Sequence, residues 1–257
     1  MFYADLTRER LLSLFPRGGC WCEVGVFAGT FSRKIVETVA PDALHLVDVW
    51  SWDYYDWDNP PETELRNIEG FKAWMKGLVP DYDGGHPNRF LERFHADLLE
   101  WSAREKGSAI KVHRGLSVKV AKEFEDGYLD VVYVDADHHY DSVLADLVAY
   151  APKVKAGGVI VCDDFLEDLS RSDGLYGTID AINTFTKRTE FKCLLITGFG
   201  ESQCVLYKTA SPFVDELLSN LLNSGAFIVE LNDVLLPRYV QKTITTALTS
   251  RNVPSFH

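Results

Sequence analysis

The sequence predicts an α/β protein with a mostly parallel, doubly wound sheet and an antiparallel strand near its C-terminal edge. Two kinds of observation carry this prediction. Short apolar runs such as Leu129-Asp-Val-Val-Tyr-Val134 and Val159-Ile-Val-Cys162 alternate with helical stretches, as expected where both sheet faces carry helices. The segment from Cys20 to Asp48 reads as strand, glycine-bearing turn, helix and strand, a unit whose right-handed crossover implies parallel strands.

Taken in order, Thr7 caps a short amphipathic helix carrying Leu11, Leu12, Leu14 and Phe15, which Pro16 and Gly18-Gly19 end. A strand over Cys20 to Val24, a helix from about Thr30 to Val39 and the strand Ala43 to Asp48 follow. An inserted aromatic and helical segment spans about 50–108. It opens on the aromatic and acidic stretch Trp50 to Pro61, read as an ordered loop or lid, with helices around Thr63 to Leu78 and Asn88 to Arg104 behind it. The α/β rhythm resumes with strand Ile110 to His113, helix Val118 to Phe124, strand Leu129 to Val134, helix Tyr140 to Tyr150 and strand Val159 to Cys162. A helix over Thr178 to Arg188 precedes strands Cys193 to Thr197 and Cys204 to Tyr207. Their short glycine-bearing link makes them an antiparallel pair. One domain over 1–210 is expected, with 211–257 as a helical extension of two amphipathic segments that caps it or makes an oligomer contact.

Composition narrows the function. With 257 residues and 46% hydrophobic content the chain can bury a sizeable core. A net charge of −12 opposes binding to nucleic acid through phosphate neutralisation, which needs a clustered basic face. The five cysteines show neither a C-x-x-C pair nor zinc-like spacing, and read as thiols of a reducing compartment. A charged start and the lack of any long apolar window point to a cytoplasmic protein that makes no membrane contact.

At the first strand-to-helix turn stands Glu23-Val-Gly25-Val-Phe-Ala-Gly29-Thr-Phe-Ser32. Glycines let the backbone turn sharply and approach a ligand, while the helix start offers free N–H donors. Asp48 ends the next strand, where a carboxylate accepts from ribose hydroxyls, so a nucleoside-containing ligand is the natural reading. The fingerprint G-x-G-x-x-G is missing. The wider spacing favours S-adenosylmethionine over a pyrophosphate cofactor.

A second constellation joins Asp135-Ala-Asp137-His138-His139-Tyr140 to Asp163-Asp164, both just past apolar strands and therefore at the sheet edge where open α/β folds bind ligands. Carboxylates gathered there repel unless a cation neutralises them, and oxygen ligands suit Mg²⁺, with Mn²⁺ or Ca²⁺ as substitutes. Asp137 or one of the two histidines is placed to take a substrate proton. Ser117, after the strand from Ile110, fits an adenine edge or a helix cap.

Together, Glu23 to Ser32, the strand ending at Asp48, Gly115-x-Ser117, Asp135 to Tyr140 and Lys155 to Phe165 resemble the class I S-adenosylmethionine methyltransferases, in particular the metal-dependent small-molecule O-methyltransferases of the macrocin and cephalosporin-cluster type. The resemblance implies a Rossmann-like fold. It assigns Glu23, Gly25, Gly29 and Ser32 to the methionine-end loop, Asp48 to the ribose and Ser117 to the adenine edge. It further implies Asp135, Asp163 and Asp164 as Mg²⁺ ligands, with Asp135 also beside the cofactor. The macrocin type points to Asp137 as the base; the catechol type has a lysine where this chain has His138, so both residues stand as candidates. The expected activity is methyl transfer to a hydroxyl of a small molecule by direct displacement, by a chain that forms a homo-oligomer if the extension serves as a contact. Three other readings compete: a metal-independent methyltransferase, a binding module without turnover, and a nicotinamide oxidoreductase.

Overall fold

The computed structural model describes every residue except 54–61, 167–176, 199–201, 247–249 and 257. In chain order the elements are β1 (Phe2–Ala4), α1 (Arg8–Leu12), β2 (Cys20–Val24), α2 (Thr30–Val39), β3 (Ala43–Asp48), α3 (Glu62–Leu78) and α4 (Asn88–Arg104). Then come β4 (Ala109–Arg114), α5 (Ser117–Val120), β5 (Leu129–Val134), α6 (Tyr140–Tyr150), β6 (Val154–Cys162) and α7 (Thr178–Arg188). The chain ends with β7 (Lys192–Thr197), β8 (Cys204–Tyr207), α8 (Pro212–Asn223), β9 (Ile228–Glu230), β10 (Tyr239–Thr245) and β11 (Ser250–Phe256).

Nine strands form one sheet in the order β4-β3-β2-β5-β6-β8-β7-β1-β9. Pairing is parallel from β4 through β6; β8 runs antiparallel to both β6 and β7, and β9 antiparallel to β1. The predicted Rossmann-like sheet with its antiparallel strand is therefore what forms. Alternate side chains of the central strands enter opposite cores, because successive residues of a strand point to opposite faces. Cys22, Val24, Val132 and Val134 meet Tyr150 of α6 and Phe185 of α7. On the other face Trp21, Val131, Tyr133 and Val161 meet Ile35 and Val39 of α2 and Leu217 and Leu221 of α8. Each such aliphatic side chain contributes roughly 1.5–3 kcal/mol by burial. A one-residue slip would exchange the two faces of a strand, so the register is strongly specified.

Caps fix where α1 and α8 begin. The Thr7 side chain accepts from Arg10 N–H, and Ser211 accepts from Val214 N–H with Pro212 opening the helix. The expected helical extension is corrected by the structure: among the described residues of 211–257, only Pro212–Asn223 is α-helical. Tyr239–Thr245 and Ser250–Phe256 instead form an antiparallel hairpin. Its run Val240, Thr243, Ile244 and Thr245 is β-branched, which favours strand over helix, and Pro237 and Pro254 cannot donate to a helical ladder.

A second unforeseen element is β1, which lies parallel to β7 with Phe2 opposite Leu195 and Ala4 opposite Thr197. Since β1 runs with the parallel strands, the chain leaves it at their shared C-terminal edge. This delivers α1, and with it Arg8, to the rim that carries the acids. At the opposite part of that rim, Trp50 is fully buried with its indole N–H donating to the Phe27 carbonyl at 2.8 Å, and Trp52 stacks on Phe71 at 4.0 Å. The rest of the aromatic stretch, 54–61, lies outside the described residues.

Candidate active site

The glycine turn after β2 owes its shape to two backbones that nearly touch. Gly25 has φ +89, and a Cβ there would lie 2.0 Å from the carbonyl oxygen of Asp135. Gly29, at φ +71, would drive a Cβ to 2.3 Å from a methyl group of Leu98. Both positions favour glycine on conformation, and at Gly25 the neighbouring backbone excludes any side chain as well. The turn is braced from β3: Val26 N–H and Phe27 N–H both donate to Asp48 Oδ2 at 2.8 Å, and Trp50 N–H donates to Oδ1 at 2.8 Å. Asp48 thus holds the loop open from below, a role the sequence reading had given only to ribose recognition.

Glu23, at the end of β2, is buried, and its carboxylate accepts from the Ser32 hydroxyl at 2.5 Å. Burial raises its pKa to about 8, against the lowering effects of Ser32 and the Arg8 charge. Ser117 opens α5 with its hydroxyl directed to Asp146, a buried carboxyl whose pKa burial raises to about 6. The Ser117 side chain therefore ties α5 to α6 beneath the expected adenine edge.

Along the rim, Asp135 follows β5 and Asp163 follows β6, and a residue from the other end of the chain joins them. Arg8 pairs with Asp135 Oδ2 at 2.6 Å and with Asp163 Oδ2 at 2.7 Å. Its guanidinium carbon lies 3.8 Å from the centre of the Phe31 ring and 5.0 Å from that of Tyr133. Burial opposes the charge on Arg8, yet Asp135, Tyr133 and Asp163 together raise its pKa. The Asp135 carboxyl is raised by burial and by Asp163, with Arg8 acting against both. The other oxygen of Asp163 accepts from Gln203 Nε2 at 2.7 Å. Nothing in the local sequence around Arg8 or Gln203 marks either residue, because both reach the rim through the sheet order.

The two candidate bases separate clearly. Asp137 accepts from the His139 ring at 2.5 Å, from His139 N–H at 3.2 Å and from the Ser142 hydroxyl at 2.6 Å, so it ties the turn before α6 to the first turn of that helix. Burial pushes its pKa up, but the Ser142 and His139 hydrogen bonds outweigh this and hold it below the usual value. His138 turns the other way, with Nε2 3.0 Å from Asp164 Oδ2.

Asp164 itself adopts φ +47, in the left-handed region that a non-glycine residue seldom occupies. The ligating atoms that converge, all within 4.8 Å of one another, are those of Asp135, His138 and Asp164. This set of two carboxylates and one imidazole fits a divalent cation that accepts mixed nitrogen and oxygen ligands, such as Mn²⁺, better than an all-oxygen Mg²⁺ cage. The expected third oxygen ligand, Asp163, is engaged by Arg8 and Gln203 instead.

Residues 22–165 match the model of a protein family described as a methyltransferase domain. No curated protein matches the chain by sequence. Among solved structures, a Corynebacterium glutamicum protein is 16% identical at TM-score 0.48, over 81% of this chain and 83% of its own. The N-methyltransferase NodS of Bradyrhizobium japonicum is 12% identical at TM-score 0.48, over 79% and 93%. A Streptococcus mutans protein in complex with SAH is 9% identical at TM-score 0.43, over 78% and 95%.

Proposed function

Since the chain belongs to the methyltransferase-domain family, we propose that it uses S-adenosylmethionine to methylate a hydroxyl oxygen of a small molecule, with His138 as proton acceptor and Asp164 as the group that orients it. The observation that carries this reading is the 3.0 Å contact between His138 Nε2 and Asp164 Oδ2 on the rim that also bears Asp135. A histidine whose ring is fixed by a carboxylate is well suited to accept a proton from a substrate, because that carboxylate stabilises the imidazolium that forms. In the proposed sequence the acceptor hydroxyl loses its proton to His138 as its oxygen attacks the donor methyl group in line. The C–O bond forms while the C–S bond breaks, and S-adenosylhomocysteine leaves. Positioning of oxygen, carbon and sulfur supplies most of the acceleration.

The donor is held at the Gly25 to Gly29 turn. Asp48 keeps that turn in shape, and Glu23 offers a carboxylate to the methionine ammonium group. A second reading adds a divalent cation on Asp135, His138 and Asp164, favoured by the convergence of their ligating atoms. Such an ion would supply positive charge that stabilises the acceptor oxyanion. His138 would then be a ligand rather than the base.

One assay tests both readings. Release of S-adenosylhomocysteine is followed across a panel of hydroxylated acceptors, with chelator and with added Mn²⁺ or Mg²⁺. Turnover that survives the chelator and falls roughly 10²- to 10⁴-fold in His138→Gln supports the base. Turnover abolished by the chelator and restored by Mn²⁺ supports the cation. Methylation confined to amine acceptors would overturn the hydroxyl assignment.

A further inference from the structure

We infer that Arg8 binds the carboxylate at the methionine end of the donor, and thereby selects S-adenosylmethionine over a donor that lacks that carboxylate. The inference rests on the donor reading above and deepens it. Its first support is place. The Arg8 guanidinium lies against Phe31, in the first turn of α2, the helix that Gly29 begins, and its other neighbours are Tyr133 at the end of β5 and the two rim acids. It therefore lies between the first turn of α2 and the acid rim, beside the turn that the donor reading assigns to the methionine end.

The second support is charge. The methionine end brings an ammonium group and a sulfonium, both of which the ion-paired carboxylates of Asp135 and Asp163 attract, and one carboxylate, which the same acids repel. Arg8 is the cation that the structure sets against Asp135 and Asp163. A carboxylate arriving beside it meets a planar, permanently charged donor of hydrogen bonds. The third support is rigidity. Two aromatic faces and two carboxylates hold the guanidinium, whose side chain is only 17% exposed, so little rotamer freedom remains to be lost on binding.

A purely structural Arg8, serving only to tie α1 to the rim, makes a different prediction: its loss would weaken every donor alike. The test is calorimetric titration of the full chain with S-adenosylmethionine and with its decarboxylated analogue, in wild type, Arg8→Met and Arg8→Lys. Wild type is expected to prefer the carboxylated donor by roughly tenfold or more, the worth of one charge-assisted hydrogen bond. Arg8→Met should bring the ratio of the two affinities close to one, and Arg8→Lys should retain part of the preference. The ratio is measured within each variant, so a loss of folded fraction cancels from it. A wild-type protein without preference, or an unchanged ratio in Arg8→Met, overturns the inference while leaving the donor reading standing. A wild-type protein that binds neither S-adenosylmethionine nor S-adenosylhomocysteine overturns both.

Discussion

The Ser32 hydroxyl donates to the Glu23 carboxyl across 2.5 Å in a fully buried pocket beneath the glycine turn. Burial raises the pKa of Glu23 from 4.5 to about 8, so near neutral pH the folded protein carries a proton there that the unfolded chain has lost. A positive donor favours the ionised form. Binding of S-adenosylmethionine at pH 7 is therefore expected to release a fraction of a proton, and affinity should rise between pH 6 and 8. Titrations in two buffers of different ionisation enthalpy measure that proton, and Glu23→Gln should abolish it.

The same group makes a stability prediction with a definite sign. A raised acid pKa means that the folded state holds more protons than the unfolded state between pH 4.5 and about 8, so Glu23 lowers stability as pH rises through that window. His45 acts in the opposite direction. It is buried, with Nδ1 3.0 Å from His113 Nε2 and Nε2 3.2 Å from the Tyr128 hydroxyl. Burial, then the His113 and Lys111 charges, lower its pKa from 6.5 to about 4. Its contribution is complete above pH 6.5 and is lost as pH falls toward 4, with a slope of at most about 1.4 kcal/mol per pH unit. Because Glu23 opposes this over much of the same range, the test is a difference: by urea unfolding, wild type should gain stability relative to His45→Phe as pH rises from 4 to 6.5. Equal profiles would refute the assignment.

The parallel core was legible in the sequence because each central strand is an apolar run bounded by a turn, and because acids at Asp48, Asp135 and Asp163 mark the strand ends. The acid rim was legible for the same reason. Its wiring was not. Which carboxylate meets which partner depends on Arg8, which β1 brings across 127 residues of chain to Asp135, and on the left-handed backbone at Asp164. A three-residue strand such as Phe2–Ala4 carries too few residues for any period to show. The C-terminal hairpin was missed because apolar spacing was given more weight than its β-branched side chains.

Gly25 offers a test of the donor loop by contrast with Gly127. Both have positive φ, +89 and +68, but a Cβ at Gly127 meets nothing within 4 Å, whereas at Gly25 it meets the Asp135 backbone. Gly127→Ala should cost about 1–2 kcal/mol, the left-handed backbone term alone. Gly25→Ala should cost more than about 4 kcal/mol, or survive only by parting the two loops and losing donor binding. Thermal unfolding, with and without S-adenosylhomocysteine, separates these outcomes. Similar losses for the two variants would mean that the loops do not abut.

Asp137 and Asp164 are both within reach of a histidine, and their hydrogen bonds assign them different work. Asp137 engages Ser142 and His139 at the start of α6, and its replacement by an amide weakens these charge-assisted hydrogen bonds. Asp137→Asn is expected to lower stability by about 1 kcal/mol, the worth of one such hydrogen bond, while leaving kcat within about threefold. Asp164 faces His138, the proposed proton acceptor. Asp164→Asn should leave the melting temperature nearly unchanged but lower kcat roughly tenfold or more, since the imidazolium loses its counter-ion and the ring its orientation. A kcat that falls with Asp137→Asn and not with Asp164→Asn would transfer the base from His138 to Asp137.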